Sequence, residues 1–378
     1  MKTKIVISEP IEAIDPLLTE LARQIHSSKR VLVITGAGIS CSGGIPDFRS
    51  EDGLYNLIKK KHPKTFIRGR DLFDATLFKD RGRTECFYTF MAELKSLIST
   101  ANPTPTHSFI RSMQQKGQLM RCYTQNVDCL EDPIELPVVR LHGSMDTVKC
   151  NLCCSSFGFS TEYEDQFRLG NPPICPHCEN LDNERVRLGK RQLSMGTLRP
   201  NIVLYNEDHP DSETIGRMQT TDIRKRPDLL IVMGTSLKIP GLKKFIKEAA
   251  RMIHANSKQG KVIFVNRTAP TKEWEKIFDY EVIGDTDDWV NMMEPKLAHH
   301  EVITAERLAR LKQKKDNATS NNNNNNQHVN NNLTKKRKTD DDQKNLIVTN
   351  HSRSQLTLDD TFRAQRHKTA KKVLIFKQ

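Results

Sequence analysis

No stretch of this sequence approaches the run of ~20 apolar residues that a membrane-spanning helix needs. The opening MKTKIVISEP has only a short apolar run, stopped by Ser8, Glu9 and Pro10. Neither a signal peptide nor a membrane segment is expected. A disulfide framework is also not expected, because the nine cysteines are odd in number and scattered along a chain without secretory features. Reduced thiols or metal ligands in a reducing compartment fit better. Most of the chain lacks a concentration of positive charge. The formal charge is +13, but residues 301 to 378 hold 17 Lys and Arg against 8 Asp and Glu, leaving 42 against 38 in the first 300. The excess belongs to the tail, so a core built to grip DNA is not indicated.

One further absence is a single glycine. Val31 to Thr35, VLVIT, is a β-branched apolar run of the kind buried in parallel sheets, and GAGIS follows it. In the G-x-G-x-x-G turn of dinucleotide-binding folds the third glycine falls at position 41, where this chain has Cys41 and delays its glycines to Gly43 and Gly44. Pro46, Asp47, Phe48 and Arg49 then put a rigid turn, a carboxylate, an aromatic face and a guanidinium beside a phosphate site. The acidic residue that a dehydrogenase places after its second strand is missing as well; Glu51 and Asp52 fall inside the loop instead. Holding pyrophosphate does not require this much chemistry.

What is present favours an α/β fold. A chain of 378 residues with 36% hydrophobic content can bury a sizeable core. Residues 31 to 35, 119 to 124, 229 to 234 and 262 to 266 all look like buried strands ending in a turn, with helical patterns between them. The expectation is a Rossmann-like parallel sheet whose ligands sit beyond the carboxyl ends of the strands. The four tips, GAGIS, TQNVD, GTSL and NRT, should line one cleft.

Two insertions, a helical one at about residues 49 to 101 and a cysteine-bearing one at about 145 to 199, should form a smaller lobe. Residues 1 to 28 are expected as an N-terminal arm, 29 to 300 as the catalytic domain and 301 to 316 as a last helix. Ten of the sixteen residues from 317 to 332 are Asn, so 317 to 378 is expected to be a disordered tail.

Cys150-x-x-Cys153 and Cys175-x-x-Cys178, with 21 residues between the pairs, have the spacing of a tetrahedral four-cysteine zinc site. Cys154 stands beside the first pair and could replace Cys153, although C-x-x-C geometry favours Cys153. Four thiolates leave no open coordination position, so one structural Zn²⁺ is implied and catalysis lies elsewhere. Glu162, Glu164 and Asp165 against Arg168 alone between the pairs argue against a nucleic-acid finger.

His142 ends a short strand pattern, VVRLHG, and a histidine at such a tip can serve as general base. Taken alone it fits a structural histidine better. Its company raises the catalytic assignment: Gln125, Asn126 and Asp128 come from the preceding tip. Asn126 offers donor and acceptor and Asp128 only accepts, which suits an amide NH₂ and ribose hydroxyls.

GAGISCSGGIPDFRS, TQNVD, HG, the two C-x-x-C pairs, GTSL and VNR stand here in the order and approximate spacing of the sirtuin family, which the chain resembles over roughly residues 29 to 290. EDGLYNLIKKKHP and GRDLFDATLFKD resemble its fungal nuclear branch, which acts on histones. The resemblance implies an NAD-dependent protein lysine deacetylase that consumes NAD, yields nicotinamide and O-acetyl-ADP-ribose, and serves chromatin silencing or genome maintenance. It further implies that Gly36, Ala37, Gly38 and Ile39 hold pyrophosphate, that Asp47 lies by the nicotinamide pocket, that Phe48 shields the reactive ribose carbon and that Arg49 steadies the loop, with Tyr55 and Val127 in the same cofactor set. Gln125 and Asn126 match ribose contacts, Asp128 the carboxamide position, and His142 the base acting on the ribose hydroxyls. Gly234, Thr235 and Ser236 match phosphate and adenosine-ribose contacts, Asn266, Arg267 and Thr268 the adenosine side, and Thr286 a backbone contact near adenine.

The acetylated histone peptide would be captured as an added strand between residues 202 to 207 and 237 to 241. Here the chain has Tyr205-Asn206-Glu207 where the family commonly has Phe-Gly-Glu. Protein ADP-ribosylation uses the same bond cleavage and stays open as an alternative, as does a non-catalytic NAD-sensing scaffold. In the tail, Lys335, Lys336, Arg337 and Lys338 fit a nuclear import signal, and Gln355, Leu358 and Phe362 fit the spacing of a replication-clamp-binding peptide, with Thr361 where an aromatic belongs. Nuclear localisation and association with chromatin, without any membrane partner, are expected.

Overall fold

In the computed structural model, the described residues are 2–61, 68–256 and 260–333. Among the described residues, ten strands and nine α-helices follow one another in chain order. β1 (Thr3–Val6), α1 (Ile11–Ser27) and β2 (Val31–Thr35) come first. α2 (Leu54–Lys61), α3 (Arg81–Thr100) and α4 (Pro105–Gln115) lead to β3 (Leu119–Thr124) and β4 (Val138–Arg140). The next segment comprises β5 (Gly143–Cys150), β6 (Ser156–Gly158), α5 (Thr161–Arg168), α6 (Pro176–Arg187) and β7 (Leu198–Ile202). The chain then returns through α7 (Ser212–Arg224), β8 (Leu229–Met233), α8 (Pro240–Asn256), β9 (Lys261–Asn266), β10 (Tyr280–Ile283) and α9 (Thr286–Leu333).

Seven strands form one parallel sheet in the order β1-β10-β9-β8-β2-β3-β4. Successive side chains on a strand point to opposite faces, and the apolar runs obey this. Val31 and Val33 join Leu229, Ile231 and Ile263 in a core with α1, α4 and α9. Leu32 and Ile34 join Leu230, Val232 and Phe264 in a second core with α7 and α8. From β2 the chain builds outward through β3 and β4 on one side and later through β8, β9 and β10 on the other. Such a reversal opens a crevice at the carboxyl ends of the two central strands, here β2 and β8.

The smaller lobe has its own core, in which Phe87, Tyr88 and Met91 of α3 pack against Val148, Phe167 and Leu198. Its sheet is antiparallel, in the order β6-β5-β7.

The four strands expected from the sequence appear within a residue of the expected bounds. The N-terminal boundary needs correction: residues 1 to 28 are not an arm, because β1 pairs with β10 and Ile14, Leu18 and Leu21 of α1 enter the main core. The C-terminal boundary also differs. The last helix starts at Thr286 rather than 301, and its bounds extend to Leu333. Its start is fixed by Asp287, which accepts from the Thr106 amide at 2.9 Å and also from the Ser42 and Thr106 hydroxyls. The chain divides into two compact units, and the second begins at Glu301. Lys335 to Lys338, Gln355, Leu358 and Phe362 lie outside the described residues.

Candidate active site

Two glycine turns meet at the crevice. The Gly38 N–H donates to the Gly234 carbonyl at 2.9 Å, and a methyl group on Gly36 would sit 2.8 Å from that same oxygen. Gly234 itself has φ +60°, a left-handed conformation that side chains resist. Gln125, at the tip of β3, binds both turns into one floor: its Nε2 donates to the Thr35 carbonyl at 3.0 Å and to Thr235 Oγ1 at 2.9 Å.

The loop after β2 folds on itself before it closes the cleft. Asp47 Oδ1 accepts from the backbone N–H groups of Arg49 and Ser50, both at 2.7 Å, which sets a tight turn. A side chain at Gly53 would strike the Asp47 carbonyl at 2.7 Å, so only glycine lets α2 start there. The Phe48 ring then packs edge-on against Phe73, 5.4 Å away, and against Tyr55 at 5.7 Å. Arg49 reaches across to the other strand tips, giving Nη1 to Ser236 Oγ at 3.2 Å and Nη2 to the Tyr205 hydroxyl at 3.0 Å. The enclosed space is about 450 Å³, a volume typical of cofactor sites.

His142 stands on the wall of this space. Its Nδ1 lies 2.9 Å from the Gln125 carbonyl, and a carbonyl can only accept, so Nδ1 carries the proton. Nε2 is left as the lone-pair nitrogen, and it has no hydrogen-bond partner. Burial pushes the imidazole down to about 4, while the Gln125 carbonyl pulls weakly the other way. The ring is therefore neutral at neutral pH.

Most expected cofactor residues line the cleft: Gly36, Ala37 and Gly38; Asp47, Phe48, Arg49 and Tyr55; Gln125 and Val127; Gly234, Thr235 and Ser236; Asn266, Arg267, Thr268 and Thr286. Arg267 is also tied to Asp285 at 2.6 Å, and Asn266 Nδ2 to the Thr268 carbonyl at 3.1 Å.

Three expected contacts are placed differently. The Ile39 side chain is in the main core and its N–H is bonded to the Gly36 carbonyl, so it offers no group to a phosphate. Asn126 and Asp128 are buried and are not among the residues lining the cleft. Asn126 Nδ2 donates to Ser40 Oγ at 3.0 Å, and Asp128 Oδ1 accepts from the Leu130 N–H at 3.2 Å.

Burial also raises the Asp128 carboxyl above the usual carboxylate range. Behind it, burial and then the charge of Asp128 push Glu131 up to about 7. Sequence reasoning missed Ser40 and Glu131, although both sit inside or beside the quoted motifs. Phe73, Ile202 and Lys238 also line the cleft, from the quoted segment GRDLFDATLFKD and from the two stretches expected to flank the peptide, although none was assigned to the cofactor set.

The stretch expected to pair with an added strand is partly committed. The N–H groups of Val203 and Tyr205 donate to His142 and Phe73, at 2.9 and 2.7 Å, and the Leu204 N–H donates to the Glu207 carboxylate at 3.1 Å. An added strand would therefore use carbonyls at residues 203 and 204. Asn206 takes φ +61°, which asparagine tolerates, and its amide donates to Asp74 at 2.7 Å.

The cleft suits NAD on two observations. The glycine cradle leaves room that any Cβ would fill, and the buried acceptors or donors Asn126 Oδ1, His142 Nε2 and Thr286 Oγ1 have no partner of their own. The thiols suit zinc equally well. Cys150 and Cys178 sulfurs are 3.8 Å apart and Cys153 and Cys175 sulfurs 3.7 Å, against roughly 3.8 Å for the edge of a tetrahedron with 2.3 Å Zn–S bonds. All four lie in one cluster, and exposed Cys154 does not belong to it. A methyl group on Gly196 would sit 2.4 Å from Cys150 Sγ, so glycine is required where the chain passes the cluster.

The profile of the Sir2 family matches residues 36–241. NAD-dependent histone deacetylase HST3 of Candida albicans is 42% identical over 304 residues, covering 74% of this chain and 62% of its own length. HST3 of Saccharomyces cerevisiae is 40% identical over 335 residues, covering 82% of this chain and 74% of its own length. A solved structure described as showing the basis for mechanism and regulation of Sir2 enzymes is 26% identical, covers 75% of this chain and 99% of its own, and superposes with a TM-score of 0.57.

Proposed function

The chain belongs to the Sir2 family, and on that premise we propose that it is an NAD-dependent protein lysine deacetylase acting on acetylated histone in the nucleus, in association with chromatin. The observation that carries the proposal is the state of His142, a residue lining the cleft: its proton is fixed on Nδ1 by the Gln125 carbonyl, and its buried Nε2 has no partner. Two relatives that cover most of this chain are named histone deacetylases, which supports histone as the substrate class.

When bound, NAD supplies the ribose–nicotinamide bond that breaks and the ribose carbon that takes the acetyl oxygen. The chain supplies the placement. Backbone at Gly36, Ala37 and Gly38 and the Gly234 turn would hold pyrophosphate, where absent side chains let the backbone approach closely. Phe48, wedged by Phe73 and Tyr55, would keep water from the reacting carbon. Asn126 and Asp128 would take the ribose and carboxamide contacts after a local opening of the wall. His142 Nε2 would accept the proton of a ribose hydroxyl, and its depressed basicity means that no deprotonation has to precede this at neutral pH.

The products are the deacetylated lysine side chain of the peptide, nicotinamide and O-acetyl-ADP-ribose. NAD labelled in its ADP-ribose part, incubated with an acetylated histone peptide, tests this: label in acetyl-ADP-ribose is expected. Label on protein would mean ADP-ribosyl transfer instead. The tail segment with Gln355, Leu358 and Phe362 is proposed to contact a replication clamp. A pull-down unchanged by Phe362→Ala would reject that contact.

A further inference from the structure

The smaller lobe carries a patch that the active site does not use. Among the described residues, eight of the sixteen exposed large apolar side chains fall between residues 152 and 195. Five of these sit on α6 and the loop that follows it: Leu181, Val186, Leu188, Leu193 and Met195, with Leu188 59% exposed. Exposed apolar side chains gathered in this way mark interaction sites more often than scattered ones do. Between them in sequence stand Arg187, Lys190 and Arg191, with Glu184 as the exposed carboxylate, and none of the four is in an ion pair among the described residues. The patch therefore offers three free cations set among apolar knobs.

It is also built rather than loose. The Lys190 N–H donates to the Arg185 carbonyl at 2.9 Å, Arg185 Nε donates to the Arg191 carbonyl at 3.2 Å, and the Leu193 N–H donates to buried Asp182 at 2.6 Å. Both ends are anchored at the thiol cluster, through Cys178 on α6 and through Gly196 against Cys150. The same loop runs directly into β7, whose last residue Ile202 lines the cleft. A surface ordered in advance loses little entropy when a partner covers it.

We propose that the end of α6 and the loop over residues 188 to 195 form a docking site for an acidic protein segment that carries apolar side chains. Carboxylates would pair with Arg187, Lys190 and Arg191 at the rim while apolar groups cover Leu188 and Leu193. Nucleic acid fits less well. Phosphates would satisfy the cations but leave the five apolar side chains in water, and residues 176 to 196 contain no Phe, Trp or Tyr on which a base could stack.

The experiment uses the full chain and three fluorescent probes: a helical peptide with Glu and Leu on one face, the same peptide with Ser in place of Leu, and a DNA duplex. The Glu–Leu peptide should bind, and Arg187→Glu combined with Lys190→Glu and Arg191→Glu should weaken it roughly tenfold or more. Leu188→Ser with Leu193→Ser should weaken it comparably, while turnover of a short acetylated histone peptide, the folding control, stays unchanged in both variants. Equal binding of the Ser peptide, or loss of duplex binding alone in the charge-reversed variant, would overturn the proposal. A wild-type chain that binds the Glu–Leu peptide but does not turn over the acetylated one would count against the deacetylase and not against the surface.

Discussion

A methyl group placed on Gly38 would lie 2.7 Å from the Cα of Gly234, so the turns after the two central strands touch backbone to backbone. These strands flank the point where strand order reverses, and the contact makes the floor on which pyrophosphate is proposed to rest. Gly38→Ala must push the two turns apart, because backbone cannot swing aside as a flexible side chain can. The sheet lies below this contact and should fold as before. A misplacement approaching 1 Å in a cofactor site costs roughly 10²-fold in rate. Steady-state kinetics should show kcat/KM for NAD falling by that order while the thermal midpoint moves only slightly.

The pH dependence of turnover follows from His142. Its folded-state basicity lies near 4, below the ordinary histidine value, so the reactive neutral ring is present at neutral pH and is lost as pH falls toward 4. The acid limb of kcat/KM should therefore sit well below the 6.5 of a free histidine. His142→Ala should remove roughly 10²–10⁴-fold of the rate and retain NAD binding by calorimetry. A limb near 6.5 in the wild type would mean that His142 is not buried in the free enzyme.

The strands and their tips were legible from the sequence because a parallel strand buried on both faces is a continuous apolar run, and VLVIT and LLIVM are such runs. β1 and β10 were not, being four-residue segments at one side of the sheet whose pairing spans the whole chain. The zinc cluster was legible from local spacing alone. What joins the cofactor loop to the rest was not: Arg49 and Tyr205 are 156 residues apart in sequence, and nothing local to either predicts the bond. Nor does sequence say that Asn126 and Asp128 are buried on Ser40 and Leu130, because a strand tip fixes where a residue is and leaves open which layer its side chain enters.

Buried Glu131 gives a second pH signature of opposite sign. Its folded value is raised to about 7 by burial and by Asp128, against about 4.5 when exposed, so between these values the folded chain holds a proton the unfolded chain has released. Stability should fall as pH rises through that window. Glu131→Gln keeps the shape and removes the titration. Denaturant midpoints should show the variant gaining on the wild type between pH 5 and pH 8, by an amount on the order of a few kcal/mol at most. A constant difference across that range would show that the carboxyl is solvated.

Tyr205 brings a hydroxyl to the cleft, and that hydroxyl is what Arg49 grips, at 3.0 Å. Tyr205→Phe leaves the ring on Arg70, 4.0 Å away, and removes that bond together with the 3.5 Å contact to the Tyr55 hydroxyl. A net hydrogen bond contributes roughly 0.5–1.5 kcal/mol. The KM for NAD should rise about 2- to 10-fold with kcat nearly unchanged, since the bond closes the loop over the cofactor and touches no reacting atom.

The thiol cluster is part of the core of the lobe that supplies Ile202 and Val203 to the cleft. Sulfurs 3.7 and 3.8 Å apart would repel as thiolates without a cation between them. Zinc binding and the folding of this lobe are therefore one equilibrium, as in small finger peptides, where the ion contributes roughly 10–16 kcal/mol. Cys175→Ser should abolish stoichiometric zinc by mass spectrometry and expose the lobe to limited proteolysis within residues 145 to 199. Cys154→Ser, at an exposed position outside the cluster, should keep both the zinc and the protease resistance. A zinc-free Cys175→Ser chain that resists protease and still deacetylates peptide would show that the lobe holds its shape through its apolar core alone.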